Sequence, residues 1–224
     1  MNIPFSVYML KMKKDPFINY TYLVVNESIR EAIIIDPAWE YDKLINKICS
    51  LNIRPVAILL THSHHDHTNL VDLLADQYHL DVYMSQREID EYNYYHRNLI
   101  AFHDSSRLVL GNLYITCLLT PGHTAGSSCF YLPGYLFTGD TIFFEGCGEC
   151  SGKGGSAVEM YHSINKIKQI IPLETKILSG HSYGKEPGQS FEQILKSNIY
   201  FQFMNKEELF VKFRNRKKHS HNFK

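Results

Sequence analysis

Apolar and polar positions along this chain set out a mixture of strands and helices. Runs at Ser6 to Met12, Tyr20 to Val25 and Ala32 to Ile35 read as strands, separated by turn residues such as Asp15-Pro16 and Asn26-Glu27. Leu44, Ile45 and Ile48 recur at helical spacing and predict a helix over Tyr41 to Leu51. Val56 to Leu60 is a short continuous apolar run, the signature of a buried strand. Leu70, Leu73, Leu74 and Gln77 predict a helix over Asn69 to Tyr78, followed by a strand at Leu80 to Met84 and a helix at Gln86 to Tyr95.

His96 to Ser106 shows no clean period and reads as a loop near a pocket. Leu108 to Leu119 is broken at Gly111-Asn112, a two-residue hairpin signal, and Pro133-Gly134 joins Ser127 to Leu132 with Tyr135 to Thr138. Glu145 to Gly155 is glycine-rich, which suits close backbone approach to a ligand and equally a surface loop. Helices over Ser156 to Ile170 and Ser190 to Ser197 flank a short strand at Lys176 to Leu178. A basic cluster of Lys212, Arg214, Arg216, Lys217 and Lys218 reads as a solvated tail over about 212–224. Pattern alone therefore gives mixed α and β.

The chemistry begins where the Val56 to Leu60 strand runs out. Within Thr61-His62-Ser63-His64-His65-Asp66-His67, the imidazoles of His62, His64 and His67 and the carboxylate of Asp66 stand in the order H-x-H-x-D-H. Imidazole nitrogen and carboxylate oxygen suit a borderline divalent ion such as zinc. His62 and His64 are two apart, so in extended chain they point the same way and can hold one ion. Asp66 and His67 are adjacent and do not easily share that ion, which predicts a second one.

Donors from one loop cannot fill two coordination shells, so the rest must come from later loops. Three candidates stand where strand-like runs give way to glycine-containing loops: His123 in Thr120-Pro121-Gly122-His123, Asp140 in Phe137-Thr138-Gly139-Asp140, and His181 in Ser179-Gly180-His181.

This order of donors resembles the metallo-β-lactamase fold superfamily from about Asn19 to Tyr183. Asp36-Pro37, Thr120-Pro121-Gly122-His123-Thr124, Gly146-Cys147-Gly148 and Met160-Tyr161-His162-Ser163 look like its glyoxalase II branch. Lys14-Asp15-Pro16-Phe17-Ile18-Asn19-Tyr20, Ile35-Asp36-Pro37-Ala38-Trp39 and Phe143-Phe144-Glu145-Gly146 look closer still to zinc-dependent hydrolases of bacterial polyketide clusters. The resemblance implies an α/β fold arranged as an αββα four-layer sandwich. It implies one metal on His62, His64, His123 and Asp140, and another on Asp66, His67, Asp140 and His181. Zinc is the expected ion, two per chain, with iron or manganese as other occupants.

The implied reaction is thioester hydrolysis, releasing acyl groups from an acyl carrier protein thiol or a small-molecule thioester. Asp66 would orient the attacking water, while Tyr183 and Cys147 would contact substrate. Alternatives within the resemblance are a glyoxalase II-type hydroxyacylglutathione hydrolase and an iron-dependent persulfide dioxygenase. Glu149, Cys150 and Ser151 stand where glyoxalase II carries a basic or aromatic segment that contacts glutathione.

Composition narrows the rest. The 224 residues suit a single domain spanning 1–224. Lys plus Arg equals Asp plus Glu at 23 each, so no net field draws the chain to nucleic acid or membrane. The apolar patch at Phe5 to Leu10 is too short for a signal segment, and a cytoplasmic location is expected. Five cysteines outside a secretory context argue against a disulfide framework. Cys49, Cys117 and Cys129 read as core thiols, and Cys147 with Cys150 as a C-x-x-C pair that packs or lines the site.

Overall fold

The computed structural model describes residues 4–203 and 205–216. Two long strands, β1 (Phe5–Lys14) and β2 (Phe17–Asn26), form an antiparallel hairpin. β3 (Glu31–Ile35) adds antiparallel to β2. From there every strand runs parallel to the last, because a helix carries the chain back each time. α1 (Tyr41–Leu51) precedes β4 (Arg54–Leu59). α2 (His65–Thr68) and α3 (Val71–Tyr78) precede β5 (Asp81–Ser85), and α4 (Gln86–Tyr92) precedes β6 (Leu99–Phe102). The first sheet is ordered β1-β2-β3-β4-β5-β6.

The second sheet is a meander of β7 (Arg107–Leu110), β8 (Leu113–Leu119), β9 (Ser128–Leu132) and β10 (Tyr135–Gly139), with β11 (Lys176–Ser179) added parallel to β10 after the crossover helix α5 (Ala157–Ile170). Gly111 and Asn112 both sit at positive φ, 52° and 59°, and Leu110 pairs with Leu113, which makes the hairpin the sequence predicts. α6 (Phe191–Ser197), a 3-10 turn (Ile199–Phe203) and α7 (Glu207–Arg214) complete the described chain.

Alternation along the strands distributes side chains between three apolar layers. Leu23, Val25, Ile34 and Ile58 face α1 and α3, where they meet Leu44, Ile48, Val71 and Leu74. Their neighbours Tyr22, Val24, Ile33, Ile35 and Leu59 turn the other way, against Ile115, Phe130, Phe137 and Leu178 of the second sheet. On the far side of that sheet Cys129, Leu136 and Ile177 pack under Met160, Ile164 and Ile167 of α5, Phe191 of α6 and Phe210 of α7. The result is helix, sheet, sheet, helix. Each fully buried Leu, Ile or Phe contributes roughly 1.5–3 kcal/mol, so the central layer holds the two sheets firmly face to face.

Four expectations change. The stretch His96 to Ser106 contains β6, an edge strand parallel to β5, and does not border the main cavity. Its four residues, Leu99–Phe102, pair on one side only and have little alternation to read. α4 stops at Tyr92 because Asn93 takes a left-handed conformation, φ 52°, and closes the helix before Tyr95. Cys49 lies exposed on α1, whereas Cys117 and Cys129 are buried. Finally, Lys212 and Arg214 belong to α7, and only Lys217, Lys218 and the residues after them lie outside the described residues.

Candidate metal centre

Every candidate donor leaves the C-terminal end of a strand. His62 and His64 follow β4, with Asp66 and His67 in α2 immediately beyond; His123 follows β8, Asp140 follows β10 and His181 follows β11. Both sheets present these ends to the same edge of the sandwich, so residues from four loops converge.

The structure brings all seven together. Nε2 of His62 and Nε2 of His123 stand 3.1 Å and 3.0 Å from Nδ1 of His64. Nε2 of His181 is 3.3 Å from Oδ2 of Asp66, and Nε2 of His67 is 3.8 Å from the same oxygen. Asp140 lies between the two groups: Oδ2 is 3.5 Å from Nε2 of both His123 and His181, and Oδ1 is 3.5 Å from Nε2 of His67. Four donors around a tetrahedral ion with bonds of about 2.0–2.1 Å stand about 3.3–3.4 Å apart. The observed separations bracket that spacing.

The far side of four of the five rings shows which nitrogen carries the proton. Thr61 Oγ1 donates to Asp36 Oδ2 at 2.6 Å, so at 3.0 Å from His62 Nδ1 it accepts from that nitrogen. His67 Nδ1 donates to Asp36 Oδ2 at 3.0 Å, His123 Nδ1 to the Glu149 carbonyl at 2.7 Å and His181 Nδ1 to the Ile18 carbonyl at 2.7 Å. All four Nε2 atoms therefore point inward. His67 Nε2 and Asp140 Oδ1 are buried with no hydrogen-bond partner. Buried polar atoms are nearly always satisfied, so a bare nitrogen and a bare oxygen aimed at one another fit a cation between them. The donor set and its spacing fit divalent metal.

Electrostatics agree with this assignment. Burial, together with the neighbouring imidazoles His67 and His123, holds His62 well below the ordinary histidine range, and burial with His123 lowers His64. Both are thus neutral donors. Burial would raise the Asp66 carboxyl, but hydrogen bonding from His181, the His67 charge and Asn19 hold it well below the usual carboxylate range. Burial likewise opposes a charge on His67, yet Asp140, Asp36 and Asp66 outweigh it and raise the ring to about 9. With no ion bound, His67 therefore carries a second proton on Nε2, which a divalent ion would displace.

Some supporting residues are not evident from the sequence pattern. Asp36 binds Thr61 and His67 at once, although it sits 25 residues or more before either. Asn19 Nδ2 donates to the Asp66 carbonyl at 2.8 Å and to Oδ2 at 3.0 Å, and Trp39 Nε1 donates to Asn19 Oδ1 at 2.7 Å. Arg214 Nε donates to the Gly148 carbonyl at 2.9 Å, and Gly148 N to the Asp140 carbonyl at 2.9 Å. A Cβ at Gly148 would meet that Asp140 oxygen at 2.1 Å and His123 Cγ at 2.9 Å, so the loop can wrap the two donors only with glycine there.

A cavity of about 610 Å³ opens over Asp66, His123, Asp140 and His181. Its walls include Phe17, Ile18, Phe143 and Ile199, with Tyr183 tilted on Phe143 at 4.8 Å between ring centres. Cys147 borders it, but burial first and Cys150 next push its thiol well above the ordinary range, which leaves it as wall rather than nucleophile. Cys150 is buried beside it. Arg214 and Arg216 stand at the same cavity, and the Arg216 guanidinium lies 3.6 Å from the Phe213 ring centre.

Comparison with known proteins follows the same line. The chain is 48% identical over 97% of its length, and 96% of the relative's, to the "Probable polyketide biosynthesis zinc-dependent hydrolase BaeB" of Bacillus velezensis. It is 45% identical, with the same coverage of both chains, to the "Probable polyketide biosynthesis zinc-dependent hydrolase PksB" of Bacillus subtilis. Among solved structures, ETHE1 from Myxococcus xanthus superposes with a TM-score of 0.82 at 25% identity, covering 94% of this chain and 92% of that one. Residues 15–181, three-quarters of the chain and the span that contains every candidate donor, match the Metallo-beta-lactamase superfamily, and it is to this superfamily that the chain belongs.

Proposed function

We propose that the chain is a zinc-dependent hydrolase that cleaves acyl thioesters presented on a carrier protein's phosphopantetheine thiol during polyketide biosynthesis. The observation that carries the metal-dependent part is the set of four inward-facing Nε2 atoms beside the unpartnered Asp140 Oδ1. His62, His64 and His123 would hold one ion, Asp66, His67 and His181 another, and Asp140 both. When bound, such a pair supplies positive charge that acidifies water near neutral pH and polarises a carbonyl.

The chain's own residues do the rest. Asp66, ionised and fixed by Asn19, orients the attacking water at the cavity floor. Phe17, Ile18, Phe143 and Ile199 offer apolar walls to an acyl chain. Burial raises the Tyr183 phenol, so it stays protonated and can donate a hydrogen bond to the substrate. Arg214 and Arg216 stand where a phosphate on the carrier arm can be gripped, a task suited to a guanidinium fork. The names of the two Bacillus relatives support the polyketide setting and the zinc.

The deciding experiment presents one acyl group on carrier protein, on coenzyme A and on glutathione, with zinc content measured on the same sample. Turnover of the carrier-bound thioester well above that of the glutathione one is expected. Survival of all three with the zinc-loaded protein would overturn the reading, and preference for glutathione would move it to a glyoxalase II-type reaction.

A further inference from the structure

Glu88, in the first turn of α4, is fully buried, yet it takes part in none of the ion pairs found among the described residues. Four hydrogen bonds satisfy its two oxygens. Oε1 accepts from the Ser63 amide at 2.8 Å and the Ser63 hydroxyl at 2.7 Å. Oε2 accepts from the Thr124 hydroxyl at 2.8 Å and the Gly126 amide at 2.8 Å. Ser63 lies between His62 and His64, and Thr124 follows His123. One carboxylate thus grips the segment between His62 and His64, ahead of the start of α2, and the loop of His123, two segments 59 residues apart where His64 meets His123.

The contact is tight as well as polar. A Cβ at Gly126 would meet the Glu88 amide nitrogen at 2.2 Å, so the His123 loop is seated directly on the start of α4. The second group depends on other anchors: His67 on Asp36, Asp66 on Asn19 and His181 on the Ile18 carbonyl. None of these anchors is among the hydrogen-bond partners of the Glu88 carboxylate.

We propose that Glu88 is a positioning residue that sets the separation of the His62/His64 loop from the His123 loop, and so tunes one of two metal sites without the other. A carboxylate is required because all four partners donate. Gln at this position would turn an NH2 toward either the Ser63 pair or the Thr124 and Gly126 pair; the hydroxyls can rotate away, but a backbone N–H cannot become an acceptor. Asp is one methylene too short to reach both loops from the helix. The inference rests on the two-ion reading and is independent of which thioester is cleaved.

The test is zinc binding by Glu88→Gln, measured by chelator competition, alongside the cobalt(II) absorption spectrum and the melting temperature of the metal-free protein. One ion is expected to bind as in wild type while the other weakens by about tenfold to a hundredfold, the usual range for a residue that orients a ligand. Wild-type affinity at both sites would overturn the proposal, as would equal loss at both sites with a lowered metal-free melting temperature, the pattern of a purely structural role. Should Glu88→Gln fail to fold, Ser63→Ala removes one hydroxyl donor from a half-buried side chain and is expected to weaken the same single site. An unchanged first site in Ser63→Ala would then overturn it. A wild-type chain that takes up no divalent ion would instead overturn the two-ion reading beneath it.

Discussion

Asp140 is the residue on which the two donor groups meet, with Oδ2 at 3.5 Å from both His123 and His181. Asp140→Ala is therefore expected to retain less zinc than any single-histidine variant and to lose activity on the order of a hundredfold or more, as the loss of a preorganised charge at the reacting centre does. Equal zinc content in Asp140→Ala and wild type, by metal analysis after dialysis, would contradict the shared role. The thiols give a second test at this scale. Cys117, Cys129, Cys147 and Cys150 are buried, and burial raises each of the four thiols, so they remain protonated and shielded at neutral pH. Cys49 alone is exposed, and a chromogenic disulfide reagent should find one fast thiol in the native protein and all five after denaturation. The convergence of the seven candidate donors was legible because residues of two chemical kinds stood at strand ends in a recognisable order. Asp36, Asn19 and Glu88 were not legible as supports, since a lone carboxylate or amide in sequence carries no sign of which distant loop it will bind.

At the scale of elements, α7 is where the sequence reading and the structure differ most. Lys212 and Arg214 look like part of a solvated basic tail, but Phe210 is fully buried under α5 and carries the helix with it. Arg214 is thereby brought onto the Gly148 carbonyl, in the loop whose Glu149 carbonyl orients His123. Hydrogen bonds to a charged group contribute about 1.5–3 kcal/mol. Because Arg214 is half-buried, Arg214→Ala is expected to lie at the low end and lower the melting temperature by about 3–6 °C. It should also raise KM for the carrier-bound thioester more than it lowers kcat. A variant with unchanged melting temperature and KM would show that α7 does not brace the loop. Short apolar elements were the hardest to read: β6 has four residues and one hydrogen-bonded neighbour, and the 3-10 turn Ile199–Phe203 has too few residues for a period. Long alternating or helical runs, such as β2 and α5, were legible because each side chain's layer follows from its parity or its turn.

For the molecule as a whole, the donors come from both sheets. His62, His64, Asp66 and His67 follow β4 of the first, while His123, Asp140 and His181 follow β8, β10 and β11 of the second. Ions bound there would staple the sandwich at one edge, where the apolar layer between Tyr22, Ile35, Phe130 and Phe137 ends. Among the described residues no helix is long and apolar enough to cross a membrane. The most direct test of the central claim is an anomalous difference map at the zinc edge from crystals of the zinc-loaded protein. Two peaks are predicted, one enclosed by His62, His64 and His123 and the other by Asp66, His67 and His181, with Asp140 in contact with both. A single peak, or a peak away from either group, would contradict it.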